Sequence, residues 1–325
     1  MNKNIKIFFN YVLGPLLFVI ISYSLYRQIR HQPDLALRWA QIRESWEQPA
    51  FWLVMLLMTL NWGIESRKWQ LLIRPLEKFS LPTAIRSVLA GCSVTMLTPN
   101  RIGEYGGRIM YVREEHRLQA IPLTILGSIS QLFVTIIMGT IGLIVFKYSE
   151  TEQTLFKLLP ALAGDLLLYI SIATSLVLVI IYLRAGLFTR IISRMPYSRH
   201  IVKYISLLQV FSRKQLLRIL LLSFFRYAVF ILQYLLLLKV MQVHIPYHTG
   251  FWLLTVFYLV MALAPTIGFT ELPLRAAASV QLLGLYSPNL LGIQAASLGI
   301  WLINLVIPAI AGSLLIFGIK LMKER

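Results

Sequence analysis

Thr98-Pro99-Asn100-Arg101-Ile102-Gly103-Glu104-Tyr105-Gly106-Gly107-Arg108 is the stretch on which the fold turns. Its pattern returns as Ala264-Pro265-Thr266-Ile267-Gly268-Phe269-Thr270-Glu271-Leu272-Pro273-Leu274-Arg275. Each copy has a small residue, a proline, a glycine-containing break, a glutamate, and an arginine one helical turn later. Both lie among long apolar runs, where an ionisable pair is expensive and marks a functional site by default. Two such sites in corresponding places predict a duplicated, transporter-like fold with its substrate between the halves.

The rest of the chain supports a membrane setting. Of 325 residues, 58% are hydrophobic and only 14% charged. Bilayer-length apolar runs recur along the whole length, which predicts an all-α polytopic membrane protein with no sizeable soluble domain. Thirty-one Lys+Arg against 13 Asp+Glu give a net charge of +18. With no polar module to carry nucleic acid, that excess reads as positive-inside topology and contact with anionic lipid headgroups. Cys92 is the one cysteine, so no intramolecular disulfide forms. His244 and His248 are one turn apart, but Pro246 between them breaks a helical metal face. No cofactor or metal motif is evident, and no Walker loop couples the chain to ATP hydrolysis.

About six full spans are expected, at 11–28, 50–72, 121–146, 161–183, 216–240 and 289–319. The first resembles a signal peptide but lacks a convincing cleavage site, and reads as an uncleaved span. Connector 184–215 carries Arg184, Arg190, Arg194, Arg199, Lys203, Arg213 and Lys214 with no acid, which places it in the cytoplasm. Loops 147–160 and 241–250 are nearly neutral and face outward; both termini are cytoplasmic. The location expected is the cytoplasmic (inner) membrane. Within the connector, 186–195 reads as an interfacial helix or a plain basic loop.

Segments 84–98, 104–118, 251–264 and 271–286 are too short to span. About 14–16 residues of helix reach about 21–24 Å, against a hydrocarbon thickness of about 30 Å. Paired, they predict two re-entrant hairpins with the repeated motif at each tip, or eight spans if each hairpin counts as one. Residues 1–155 then read span, span, hairpin, span, starting inside; residues 156–325 repeat that order starting outside. This is an inverted-topology repeat within a single membrane domain. The alternative is six or eight ordinary helices with a chance motif match.

Pro99 and Pro265 end one half-helix, and Gly103 and Gly268 let the chain turn. The next half-helix starts near Glu104 or Glu271 and aims its free N–H groups at the tip, an arrangement that attracts phosphate. Glu104 with Arg108, and Glu271 with Arg275, can pair across one turn. They are either self-neutralising pins or, through guanidinium, holders of a lipid phosphate. Arg101 adds a cation to the first tip only. Arg226, deep in 216–240, faces the bundle interior, on the substrate path or as partner of a buried acid such as Glu271 or Glu104. Glu65, Arg67 and Lys68 read as snorkelling or locally paired residues near a span end. Asn61 and Gln233 are expected in interhelical hydrogen bonds, and Asp165 at the interface.

At Pro99-x-Arg101-x-Gly103-Glu104-x3-Arg108, and at Pro265…Gly268…Glu271 before a long final helix, the chain resembles the lysylphosphatidylglycerol synthase transmembrane-region family of flippase-like membrane proteins. The second motif has Phe269-Thr270 where more glycine is expected. The resemblance implies movement of a lipid, such as an aminoacylated phosphatidylglycerol, across the cytoplasmic membrane. A soluble aminoacyl-transferase domain, fused to this region in some members, is missing from these residues, which leaves the headgroup open.

The expected function is a lipid translocase for an anionic phospholipid or a polyprenyl-phosphate-linked lipid, without enzyme chemistry. Arg101, Arg108, Arg226 and Arg275 would meet phosphate, and Glu104 and Glu271 would complete the site. The alternatives are a membrane-embedded glycosyl- or lipid-transferase and a small-solute carrier. The partners expected are membrane lipids with anionic headgroups and no nucleic acid, with a homo-oligomer or a lipid-modifying enzyme left open.

Overall fold

The computed structural model describes residues 35–96, 103–149, 161–183, 206–263 and 271–323, with isolated positions at 23, 26, 27 and 30. Among them the chain is helical throughout, with no strand. The helices are α1 (Leu35–Arg43), α2 (Pro49–Ile73), α3 (Leu81–Met96), α4 (Gly103–Ile109), α5 (Arg117–Tyr148), α6 (Ala161–Leu183), α7 (Arg213–Val240), α8 (Tyr247–Leu263), α9 (Glu271–Leu283), α10 (Leu290–Trp301) and α11 (Ile307–Lys323). Most of the expected span 11–28, the segment 186–195, and Pro99, Arg101, Pro265 and Gly268 lie outside the described residues.

Three stretches among the described residues are long and apolar enough to cross a membrane: Glu114–Tyr148, Arg213–Val240 and Leu290–Ile316. Gly164–Ile180 and Tyr247–Leu263 are shorter apolar helices. The protein is thus a multi-pass helical membrane protein. α2 has 25 residues but falls short in apolarity because Asn61, Glu65, Arg67 and Lys68 dilute its second half.

Local chemistry fixes the helix ends. Pro49 occupies the first turn of α2, where its missing N–H costs nothing. Ser212 and Gln215 form a reciprocal capping box at α7. Asn289 accepts from the Gly292 N–H at α10. Between α10 and α11 the helix widens into a π turn over Leu302–Val306. Pro308 explains it: the ring has no N–H for the carbonyl four residues back, at Asn304, and would collide with it.

One expected element is corrected. Segment 104–118 is not a single half-helix: α4 stops at Ile109, a turn follows, and α5 begins at Arg117. The Gly106-Gly107 pair weakens the helix. After the turn at 110–112, a short 3-10 helix (Glu114–His116) leads into α5, with the Arg113 N–H before it donating to Glu77 Oε1 at 2.9 Å.

α3 and α4 run antiparallel in close contact. A Cβ on Gly107 would collide with the Ala90 backbone, and one on Gly91 would press on Glu104. α11 covers another side of α3, where Gly312 lies against the Leu89 carbonyl and the Ser93 and Ser313 hydroxyls bond at 2.6 Å. α5 meets α8 through Gly139 and Gly142, which lie against Leu259 and Thr255. Inside lipid, burying apolar surface between helices gains little, so close backbone approach and hydrogen bonds hold the bundle.

Two apolar cores form. One joins Val54, Ile231, Tyr234, Leu253, Phe257, Ile293 and Ile300; the other joins Trp69, Leu72, Val88, Leu123, Phe133 and Ile219. Along α2, α5 and α7 a polar layer separates them, at Asn61–Lys68, Gln131 and Ser223–Arg226. The functional side chains lie in that layer.

Candidate functional site

α2 turns its polar residues inward. Asn61, Glu65 and Lys68 are buried beside Val54 and Leu72, whereas Leu53, Leu56 and Leu60 are exposed. These buried positions recur every three or four residues, so they make one helical stripe. Glu65 lies at its centre and is 3% exposed. Its carboxylate meets three cations: Lys68 at 2.8 Å, Arg108 at 2.7 Å and Arg226 at 3.4 Å. Arg108 also pairs with Glu104, one turn earlier on α4. In this layer three cations therefore face two carboxylates, leaving a positive surplus.

Each cation is also held by other groups. Arg108 lies over Trp69, 5.4 Å from the ring centroid. Lys68 Nζ donates to the Gly127 carbonyl at 3.3 Å and to Ser223 Oγ at 3.4 Å. Arg226 Nε donates to Asn61 Oδ1 at 2.8 Å and its Nη1 to Gln131 Oε1 at 3.4 Å, with the guanidinium 5.2 Å from the Trp62 ring centroid. Asn61 donates onward to Asn304 Oδ1 at 3.2 Å, which ties the π turn to the cluster. A π turn bearing a buried amide at such a place is a frequent mark of function.

Behind Arg108, the Trp69 indole N–H donates to Ser87 Oγ at 2.9 Å, and Ser87 donates to the Arg108 carbonyl at 2.9 Å. Ser87→Ala strands the buried indole N–H and is expected to cost about 1–3 kcal/mol. A thermal melt in detergent, beside the neutral control Thr59→Ala on the exposed face of α2, checks this; equal melting temperatures would refute it.

A cavity of about 290 Å³ adjoins the cluster. Its walls include Gln131, Arg226, Tyr227, Tyr258, Glu271 and Arg275. Arg275 pairs with Glu271 at 3.3 Å, and its guanidinium lies 5.8 Å from the Phe257 ring centroid. Arg275 Nε and the Tyr227 hydroxyl are buried without a hydrogen-bond partner. Both residues line the cavity, but these two atoms lie beneath its surface.

Of the residues singled out by sequence, Arg226, Glu271 and Arg275 share this cavity. Glu104 and Arg108 lie behind Arg226, joined to it through Glu65, and Gly103 begins α4 in a buried position. Arg226 is a correction in part: the acid it meets is Glu65, not Glu271 or Glu104. Of the two readings of Glu65 and Lys68, local pairing holds, at 2.8 Å, but snorkelling fails, because α7, α5 and α3 pack around the second half of α2 and Arg108 reaches in from α4. Arg67 alone is exposed, bonded to Gln70. Gln233 donates to the Val54 carbonyl at 2.9 Å, an interhelical bond as expected. Asp165 bridges α6 to Lys147 of α5 at 2.8 Å. The residues missed were Glu65 and Lys68 as members of the site, together with Gln131, Tyr227 and Asn304. The signal available was the i, i+4, i+7 spacing of Asn61, Glu65 and Lys68.

A family model described as "Lysylphosphatidylglycerol synthase TM region" matches residues 34–312. Comparisons with curated proteins and with solved structures find no match.

Proposed function

Because this chain belongs to the lysylphosphatidylglycerol synthase transmembrane-region family, we propose that it carries the headgroup of an anionic lipid through the cytoplasmic membrane. The observation that carries this reading is the cavity flanked by Arg226 and Arg275, where Arg226 is the cation in excess of the two carboxylates of the polar layer. The two guanidiniums suit phosphate oxygens. Glu271 accepts from a hydroxyl-bearing or cationic headgroup. At about 290 Å³ the space lies near the lower end of small-molecule pockets, typically about 300–1,000 Å³. It takes a headgroup and leaves the acyl chains in the bilayer.

In this proposal residues 1–155 and 156–325 are inverted repeats, and both termini are cytoplasmic. The two motif tips belong to opposite halves. Arg275 and Glu271 face the cavity, whereas Arg108 and Glu104 form the equivalent half-site, packed against Gly91 of α3. Rocking of the halves exposes each in turn.

The test is translocation in proteoliposomes, read as the fraction of an acyl-labelled phospholipid accessible to an external quencher. The purified protein is expected to accelerate phosphatidylglycerol well above phosphatidylcholine. Arg275→Gln should slow it about tenfold or more, the loss of charge-assisted hydrogen bonds worth about 1.5–3 kcal/mol. Rates equal to those of empty vesicles, or equal for both headgroups, would overturn the proposal.

A further inference from the structure

The three cations around Glu65 are not held alike. Lys68 and Arg108 contact it at 2.8 and 2.7 Å, and the side chain of each is 2% exposed. Arg226 stands off at 3.4 Å and its side chain is 15% exposed. The hydrogen bonds of Arg226 to Asn61 and Gln131 come from neutral amides, which orient the guanidinium without neutralising it. On its other side is the cavity. Glu65 therefore has two tight partners, enclosed with it, and one looser partner facing open space.

Resting on the phosphate-binding reading above, we infer that Glu65 is an exchangeable counter-anion. It neutralises Arg226 while the cavity is empty and releases it to the headgroup phosphate on binding. Lys68 and Arg108 then keep the Glu65 carboxylate fully paired, so no buried charge is left alone in either state. The same exchange limits affinity. An arginine with no resident anion would bind phosphate tightly and let go slowly, whereas transport needs a site favourable enough to enter and weak enough to leave. Glu65 competes with the substrate for Arg226 and so returns the site to its empty state. It is a positioning residue, acting on the lipid through Arg226.

The arrangement separates Glu65 from a merely structural acid by the direction of its effect on affinity. In the proteoliposome assay, the initial rate is followed against the mole fraction of acyl-labelled phosphatidylglycerol. Glu65→Gln is expected to lower the half-saturating mole fraction about tenfold and to lower the maximal rate as well. Glu65→Asp, which keeps the charge, should stay within about threefold of wild type in both. If Glu65→Gln does not yield folded protein, Glu65→Gln/Lys68→Met removes an anion and a cation together and preserves the positive surplus. The same fall in half-saturation is expected of it. A half-saturation that is unchanged or raised in these variants would overturn the exchange. Wild-type protein with no headgroup-selective transport would instead overturn the reading on which it rests.

Discussion

Arg226→Gln is expected to lower phosphatidylglycerol translocation at least about thirtyfold while the protein stays folded. The magnitude follows from truncating one member of a buried, hydrogen-bonded charge pair, about 2 kcal/mol or more. Folding survives because Glu65 keeps Lys68 and Arg108 when Arg226 is gone. Glutamine also retains an amide for Asn61. Arg226→Lys should recover only part of the rate: one ammonium cannot serve Asn61, Gln131 and a phosphate together as the guanidinium fork does. The measurement is the translocation rate of each variant beside its melting temperature and elution volume. A folded Arg226→Gln protein with the wild-type rate would remove Arg226 from the lipid path and leave the cluster a structural one.

The sequence made part of this site legible. Glu271, Arg275 and Arg226 were identifiable because charge is rare in apolar segments, so each was conspicuous where it stood. The centre was harder to find. Glu65 and Lys68 lie late in α2, beside the exposed Arg67, and a charge near a span end is most cheaply explained by reaching to water. What overrides that explanation is tertiary: α7 and α5 close on Lys68 through Ser223 and Gly127, and Arg108 and Arg226 close on Glu65, so water is denied to both. No local pattern in α2 records a cover supplied by Arg108, Gly127, Ser223 and Arg226, which lie 40 residues or more along the chain. Its face did record a direction, since Asn61, Glu65 and Lys68 fall on one stripe opposite Leu56 and Leu60.

The fold shows the same division. α6 at 161–183 and α7 at 213–240 follow from runs of apolar residues bounded by polar ones. The brevity of α4 was not legible, because the residues after Ile109 remain compatible with helix and a tertiary tie, from Arg113 to Glu77, helps to fix them as a turn. The π turn had a sequence cause in Pro308, but its consequence, Asn304 turned onto Asn61, needed the packing of α2 against that segment.

Arg108→Ala is the substitution expected to cost most stability, about 3–5 kcal/mol, the usual effect of removing one partner from a buried ion pair. Arg108 touches Glu65 at 2.7 Å, pairs with Glu104 and lies over Trp69, at 2% exposure. Its loss strips the half-buried Glu104 of that cation, and it leaves a void between α3 and α2. Since folded proteins commonly have only about 5–15 kcal/mol in hand, such a loss should be plain as reduced yield and a lower melting temperature. The pairing explanation makes a further demand. Arg108→Ala/Glu104→Gln removes both charges and leaves the same void, so it should be more stable than Arg108→Ala by about 1–3 kcal/mol, the non-additivity expected of contacting residues. Thermal melts of the two variants in the same detergent decide this. If the double variant melts no higher than the single one, the cost lies in lost packing over Trp69 and not in a stranded carboxylate.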